Sequence, residues 1–330
     1  MPKKTARKKL KAKNRKPNKA GLGLAVLAFL ILLVVVGKLL GWVGELVKGT
    51  STSWDGKTPI NLVVKADNIY LLSFSPADKE VTGLKIPPET NLKVPFDFGN
   101  WPIRSIYGLG GDKLLKATIN TSFGLPVSGF LAPGGNFKEA PLDKIVGEMK
   151  GNPIKTLGLF SKSKTDLSVV TYLKLWWGMR KVRTDKVKVI DLADSNLISK
   201  MVLPDGTAAQ SLDQKRLDQF IQKQLADTNI TSEALSIGIY NTTEHPGLAE
   251  QAARLITNMG GRVVFTLSTT EHLKESVILG KPSYTMNLLP RVFQIKCGKK
   301  CQTKNSTEDL SQAEINLFLG EDYFMRYNTK

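Results

Sequence analysis

The chain has only two cysteines and two histidines in 330 residues. So few soft ligands exclude a framework of several disulfides, and a zinc centre would need more ligands than Cys297 and Cys301 supply. His245 and His272 are near neither cysteine in sequence. Phosphate-gripping and hydrolytic signatures are missing as well. There is no Walker loop, no Gly-x-Ser-x-Gly elbow, no His-Glu-x-x-His and no Gly-x-Gly-x-x-Gly after a strand. The first 19 residues hold no acid, although ten of them are Lys or Arg. A block of like charge repels itself and suits anionic lipid or nucleic acid.

The segment after the block decides between those partners. Residues 20–37, AGLGLAVLAFLILLVVVG, are uninterrupted and uncharged, and about 17–25 such residues span a hydrocarbon core. The run is longer than a signal-peptide core and lacks a clear small-residue cleavage site. It predicts a transmembrane helix over 20–44, with Lys38 snorkelling and Trp42 at the far interface. The basic tail, 1–19, then stays cytoplasmic, and everything after the span lies outside. The expectation is a single-pass cell-membrane protein whose tail marks topology, with no nucleic-acid partner. Of the formal charge of +18, the tail supplies ten, so the remainder is basic without being extreme.

After a short linker, 45–59, apolar runs at Ile60–Val64, Ile69–Phe74 and Val81–Ile86 predict strands. Leu114, Leu115, Ile119 and Phe123 recur at helical spacing. A helix opening at Thr165 or Asp166 carries Leu173, Trp176, Trp177 and Arg180, and a strand follows over 185–194. A helix over 212–227 turns Leu217, Phe220, Ile221 and Leu225 inward. Beyond it, LSIGIY, GLAEQAARLITNMGG and RVVFTLS read as strand, helix and strand, and RVFQIKC and EINLFLG as two further strands. The fold class is therefore α/β: a transmembrane helix, a mixed-sheet α/β domain over 60–230 and a smaller α/β domain over 234–328. Cys297 and Cys301 are spaced either to pair in an oxidising compartment or to remain two thiols.

Two stretches carry a family resemblance. IGIYNTTEHPGLAEQAARLITNMGGRVV and the closing EINLFLGEDYF resemble the two ends of a LytR-type C-terminal domain. Upstream, ADNIYLLSFSPADKEVTGLKIPPETNLKVP and IRSIYGLGG through LLKATINTSFGLPVSGFL resemble a reduced LytR-CpsA-Psr catalytic domain. The resemblance implies an exterior envelope protein whose relatives transfer glycopolymers from polyprenyl pyrophosphate to the cell wall. It implies as partners a polyprenyl phosphate or pyrophosphate lipid, a cell-wall glycopolymer or envelope proteins. Arginines, acids and a divalent ion, Mg2+ or Mn2+, would serve that chemistry.

The residues depart from the family where the chemistry lies. Asp67 falls at the family's acid, but the Ile-Pro-Arg-Asp-Thr turn reads Ile86-Pro87-Pro88-Glu89-Thr90. Proline donates nothing where an arginine would grip phosphate. Catalysis, if retained, would fall to Asp67, Glu89 and Arg104, with Asp67 and Glu89 as metal ligands. Removing charge-stabilising donors singly costs about 10²–10³ in rate, so the reading is a binding or scaffolding protein. The rivals are a divergent phosphotransferase or pyrophosphatase and a purely structural envelope subunit. Trp176 and Trp177 either line a polyprenyl groove, as the resemblance implies, or pack as core. The turn Asn241-Thr242-Thr243 before its helix either holds a phosphate or only joins strand to helix.

Overall fold

The computed structural model describes residues 54–202, 208–296, 301–303 and 313–328. They belong to a unit running from Thr52 to Lys330. The predicted tail and span, together with Cys297, lie outside the described residues. Among the described residues no helix is long and apolar enough to cross a membrane.

The chain opens with β1 (Ile60–Lys65), β2 (Ile69–Ser75), β3 (Glu80–Ile86), β4 (Thr90–Val94) and β5 (Gly99–Pro102). There follow α1 (Ile103–Phe123), β6 (Gly129–Ala132), α2 (Leu142–Met149), α3 (Pro153–Lys162), β7 (Lys164–Thr165), α4 (Val169–Met179) and β8 (Val187–Asp191). Then come β9 (Ile198–Val202), β10 (Ala208–Leu212), α5 (Gln214–Gln224) and α6 (Thr228–Glu233). The last part comprises β11 (Ser236–Asn241), α7 (Leu248–Asn258), β12 (Arg262–Ser268), β13 (Val277–Gly280), α8 (Tyr284–Val292), β14 (Cys301–Thr303), β15 (Ile315–Leu319) and α9 (Glu321–Asn328).

The strands form a mixed sheet β7-β6-β1-β2-β3-β8, a smaller one β5-β4-β10-β9, and a third, β12-β11-β15-β13-β14. In the first sheet, β1 and β2 pair antiparallel from Ile60↔Phe74 to Lys65↔Ile69, while β6 lies parallel to β1. Side chains alternate across a strand. Leu62, Val64, Tyr70 and Leu72 accordingly enter one core with α2 and α4, and Val63, Leu71 and Leu84 enter another with α1 and α5. Cover on both faces explains why these strands read as nearly unbroken apolar runs. The third sheet has its own core, in which α7 contributes Leu248, Ala252, Leu255 and Ile256.

Two expectations are corrected here. Over its described residues, 291–296, RVFQIKC is not a strand: Arg291 and Val292 end α8 through Pro290, and Phe293 caps it. The additional strands are β13 and β14, paired in parallel. The fourth helix is capped by Ser168, whose Oγ accepts from Thr171 N at 3.1 Å, and not by Thr165 or Asp166. Asp166 instead accepts from Phe130 N at 2.7 Å and pairs with Lys116.

The end of α1 is held by α7. Gly124 adopts the left-handed conformation (φ 58°) that closes the helix. Arg254 Nη1 and Nη2 donate to the carbonyls of Thr121 (2.7 Å) and Ser122 (2.8 Å), and its Nε and Nη2 hold Asp218 at 2.9–3.0 Å. Asn258 Nδ2 reaches Phe123 O at 3.2 Å. No basic residue lies in the last turn of α1, so α7 supplies the charge that helix carbonyls favour there. Within α1, Gly110 (φ −152°, ψ 20°) and Gly111 (φ 67°, ψ −154°) are not helical, and the helix kinks between them.

Candidate functional site

The parallel strands β1 and β6 end on the same side, at Lys65 and Ala132. Beyond the carboxyl ends of parallel strands the chain must turn away, which leaves a crevice. Here it is an open cleft of ≈ 690 Å³ bounded by Lys65, Asp67, Lys138, Glu139, Lys162 and Lys164, with Gly134 in its wall. β7 pairs antiparallel with β6, setting Lys164 opposite Ala132. Gly134 approaches α3 so closely that a Cβ would sit 2.0 Å from Lys162 O.

Four lysines against two carboxylates make the cleft cationic. Tyr107 of α1 lies against two of these lysines. Its ring stacks on Phe130 at 5.6 Å between centroids, with Lys65 Nζ at 5.0 Å and Lys164 Nζ at 5.3 Å from its centre. Lys164 Nζ also donates to Tyr107 Oη at 3.0 Å and lies 3.9 Å from Asp112. The Tyr107 hydroxyl, then Asp112, push the ammonium above its ordinary value, so it remains charged. Among the described residues, Lys65, Lys138 and Lys162 form no ion pair. Their charge faces the cleft uncompensated by such a partner.

The predicted site residues do not converge. Asp67 lines the cleft, where its carboxylate accepts from Tyr70 Oη (2.9 and 3.1 Å) and from Asn68 Nδ2 (3.0 Å). Burial first, and then Asp67, push the Tyr70 hydroxyl above its ordinary value, keeping it a donor. Glu89 and Arg104 pair with each other at the start of α1, both more than half exposed, and neither lines the cleft. Arg104 N donates to Pro88 O at 3.3 Å, which fixes that pair to the turn. No group of three His, Cys, Asp or Glu suited to a metal occurs among the described residues. Mg2+ and Mn2+ favour octahedral oxygen shells, whereas Asp67 is taken up by Tyr70 and Asn68, and Glu89 by Arg104. The residues present do not fit the ion.

The two tryptophans part company. Trp176 is half-buried, donates from Nε1 to Gly151 O at 3.1 Å and lies under the Arg180 guanidinium, 4.9 Å from its ring centre. Trp177 is 58% exposed, with Lys181 Nζ 5.6 Å from its ring centre. The apolar neighbours Leu175 and Met179 face the core. Of the third candidate set, Asn241, Thr242 and Thr243 are all buried. Asn241 Nδ2 donates to His245 O at 2.7 Å, and its Oδ1 accepts from Thr243 N (3.1 Å) and Oγ1 (2.8 Å). Thr242 Oγ1 donates to Leu319 O at 2.6 Å. The hydroxyls and the amide are engaged inside the turn, which joins β11 to α7 and offers them to no ligand. Cys301 opens β14, and its candidate partner Cys297 lies outside the described residues.

Sequence reasoning missed Lys65, Lys138, Lys162, Lys164 and Tyr107. It searched for arginines at the family's turn. The available signal was a lysine directly after an apolar strand, at Lys65, and the Lys-Ser-Lys of residues 162–164.

No family model and no curated protein matches the chain. Solved structures overlap it in part. TagV of B. subtilis is 13% identical, with 49% of this chain and 94% of that one covered at a TM-score of 0.41. TagT bound to LIIa-WTA is 14% identical over 52% of this chain and 91% of that one, TM-score 0.37. The LytR-CPS2A-psr family protein YwtF (TagT) with bound octaprenyl pyrophosphate lipid is 14% identical over 52% and 90%, TM-score 0.36.

Proposed function

We propose that this chain is a membrane-anchored, extracytoplasmic envelope protein that binds a pyrophosphate-bearing lipid carrier of cell-wall glycopolymer without transferring it. The observation that carries the reading is the lysine-lined cleft beyond β1 and β6. Ammonium groups bind phosphate as point charges, without the planar bidentate grip of arginine. The ligand class comes from the sequence resemblance of residues 60–135, and the location from the uncharged run over 20–37. The domain division at 60–230 and 234–328 belongs to the same reading.

The chemistry argues for binding alone. In-line displacement at phosphorus needs charge stabilisation that strengthens in the transition state. Here the one carboxylate at the cleft that matches the family, Asp67, is held by two internal donors, and Arg104 is spent on Glu89. What remains attracts an anion and holds it.

The test is calorimetric titration of the purified chain with polyprenyl pyrophosphate, alongside a turnover assay with divalent ion. Binding should weaken about tenfold for Lys164→Ala and for Lys65→Ala, the value of one modest charge-assisted hydrogen bond. It should also fall steeply with added salt. Turnover should stay at background. Turnover abolished by Asp67→Ala or Arg104→Ala would overturn the proposal in favour of a phosphotransferase. Absence of binding would leave a structural, protein-binding subunit.

A further inference from the structure

The helices α3 and α4 pack side by side, with Tyr172 Oη donating to Thr156 O at 3.1 Å and the Phe160 and Tyr172 rings 4.4 Å apart. Trp176 reaches back to Gly151, just before α3, so the two helices run antiparallel. At 100° per residue, each helix passes in the same rotational sense from core, to seam, to outer face. On α4 the sequence is Leu175, Trp176, then Leu173 and Trp177. On α3 it is Leu159, Phe160, then Leu157 and Ile154. The outer residues therefore share one surface astride the seam. All four are exposed: Ile154 78%, Leu157 41%, Leu173 40% and Trp177 58%.

This apolar patch lies in a strongly basic stretch. Residues 150–183 contain eight Lys and Arg against the single acid Asp166. Asp166 is exposed but engaged, accepting from Phe130 N and pairing with Lys116; Lys155, Arg180 and Lys181 are exposed, and Arg183 pairs with Asp185 just beyond the stretch. Exposed Trp and aliphatic side chains ringed by Lys and Arg are the composition of a surface that rests in anionic headgroups. The covalent chain bears on the same helix. The first described residue, Trp54, is fixed to α4 by Lys174 Nζ, which donates to its carbonyl at 2.8 Å. Only residues 45–53 separate Trp54 from the predicted span, a tether of at most about 32 Å at ~3.3–3.6 Å per residue.

We propose that the outer face of α3 and α4, centred on Ile154, Leu157, Leu173 and Trp177, docks on the anionic phospholipid surface of the membrane that anchors the chain. This rests on the anchored, exterior reading given above, not on the lysine cleft. Headgroup contact would hold the α3–α4 face flat against the bilayer.

The full chain, reconstituted into phosphatidylcholine–phosphatidylglycerol vesicles brominated high on the acyl chains, tests it by tryptophan quenching. Trp177→Phe should remove one share of the quenching and Trp42→Phe a separate one. Replacing phosphatidylglycerol by phosphatidylcholine should abolish the Trp177 share and keep that of Trp42. The double change Ile154→Glu with Leu173→Glu, at two exposed sites, should likewise abolish the Trp177 share with the melting temperature unchanged. Quenching unaltered by Trp177→Phe, with the Trp42 share present, overturns the docking. A Trp177 that stays unquenched but cross-links to a second protein overturns it too, assigning the face to that partner. Loss of the Trp42 share alone would refute the anchor while the docking stands; loss of both refutes both.

Discussion

Replacing Arg254 by Met is the most direct probe of how the third sheet is joined to the rest of the chain. The guanidinium makes five contacts of 2.7–3.0 Å, two to carbonyls ending α1 and three to Asp218. The side chains of Arg254 and Asp218 are 25% and 21% exposed, so water replaces the lost partners only in part. Breaking a buried ion pair from one side costs ~3–5 kcal/mol; with that exposure the expected loss is about 2–3 kcal/mol. A domain of this size loses about 2–4 °C per kcal/mol, which puts the midpoint about 4–12 °C lower. Differential scanning fluorimetry of the purified chain measures it. Arg254→Lys should recover only part, because an ammonium cannot span carboxylate and carbonyls as the planar fork does. Asp218→Asn should be less costly in the Arg254→Met background than alone, by ~1 kcal/mol or more of coupling. Strictly additive variants, or a shift within 1 °C (on the order of a few tenths of a kcal/mol), would refute the idea that this contact clamps α1.

At Asp55, burial pushes the carboxyl up, but backbone donation from Thr58 and Lys57 and the Arg291 guanidinium outweigh it and bring it to about 2. Its contribution should be whole above the ordinary value of 3.8 and lost as pH falls through 2, so the Asp55→Asn difference in urea midpoint should shrink across that window. Gly134→Ala should cost ~1–3 kcal/mol by overpacking against Lys162 O and weaken pyrophosphate binding together with the melting temperature. Gly158→Ala in α3, which meets nothing within 4 Å, should be neutral or stabilising in the same melt. If Cys297 and Cys301 are bridged, the untreated chain will be lighter than the reduced chain by the hydrogens of two thiols; quantitative alkylation without reductant would refute the bridge.

The parts legible in the sequence were those where local pattern and tertiary burial agree. β1, β2 and β3 are apolar runs separated by polar turns, and each is buried on both faces. The stripe Leu248, Ala252, Leu255 and Ile256 names the buried face of α7. The second sheet was opaque because its strands carry no such pattern. β5 is Gly-Asn-Trp-Pro, and β10 is Ala-Ala-Gln-Ser-Leu, set by pairing with β4 more than a hundred residues earlier. RVFQIKC has the β-branched and aromatic residues of a strand, yet packing of Leu288, Leu289 and Phe293 into the third core continues the helix through Pro290. The cleft was the least legible part. Lys65, Lys138, Lys162 and Lys164 meet only after β1, β6 and β7 assemble, and a lysine bound for a cleft looks in sequence like one bound for solvent.

The kink at Gly110 and Gly111 divides the hydrogen-bond ladder of α1 into two cooperative pieces. A helix shares its stability along an unbroken ladder, and a glycine at φ 67° interrupts that sharing. The piece after the kink buries Leu114, Leu115, Ile119 and Phe123, and Arg254 pins its end. The piece before it buries Ile103 and Ile106 and carries Tyr107, which lies against two of the cleft lysines. Amide protons of the leading piece should therefore exchange with solvent faster than those beyond Gly111. An anion held by Lys65 and Lys164, the two lysines that flank the Tyr107 ring, would slow exchange in the leading piece selectively. The protection pattern along one helix thus becomes a gauge of whether the cleft is filled.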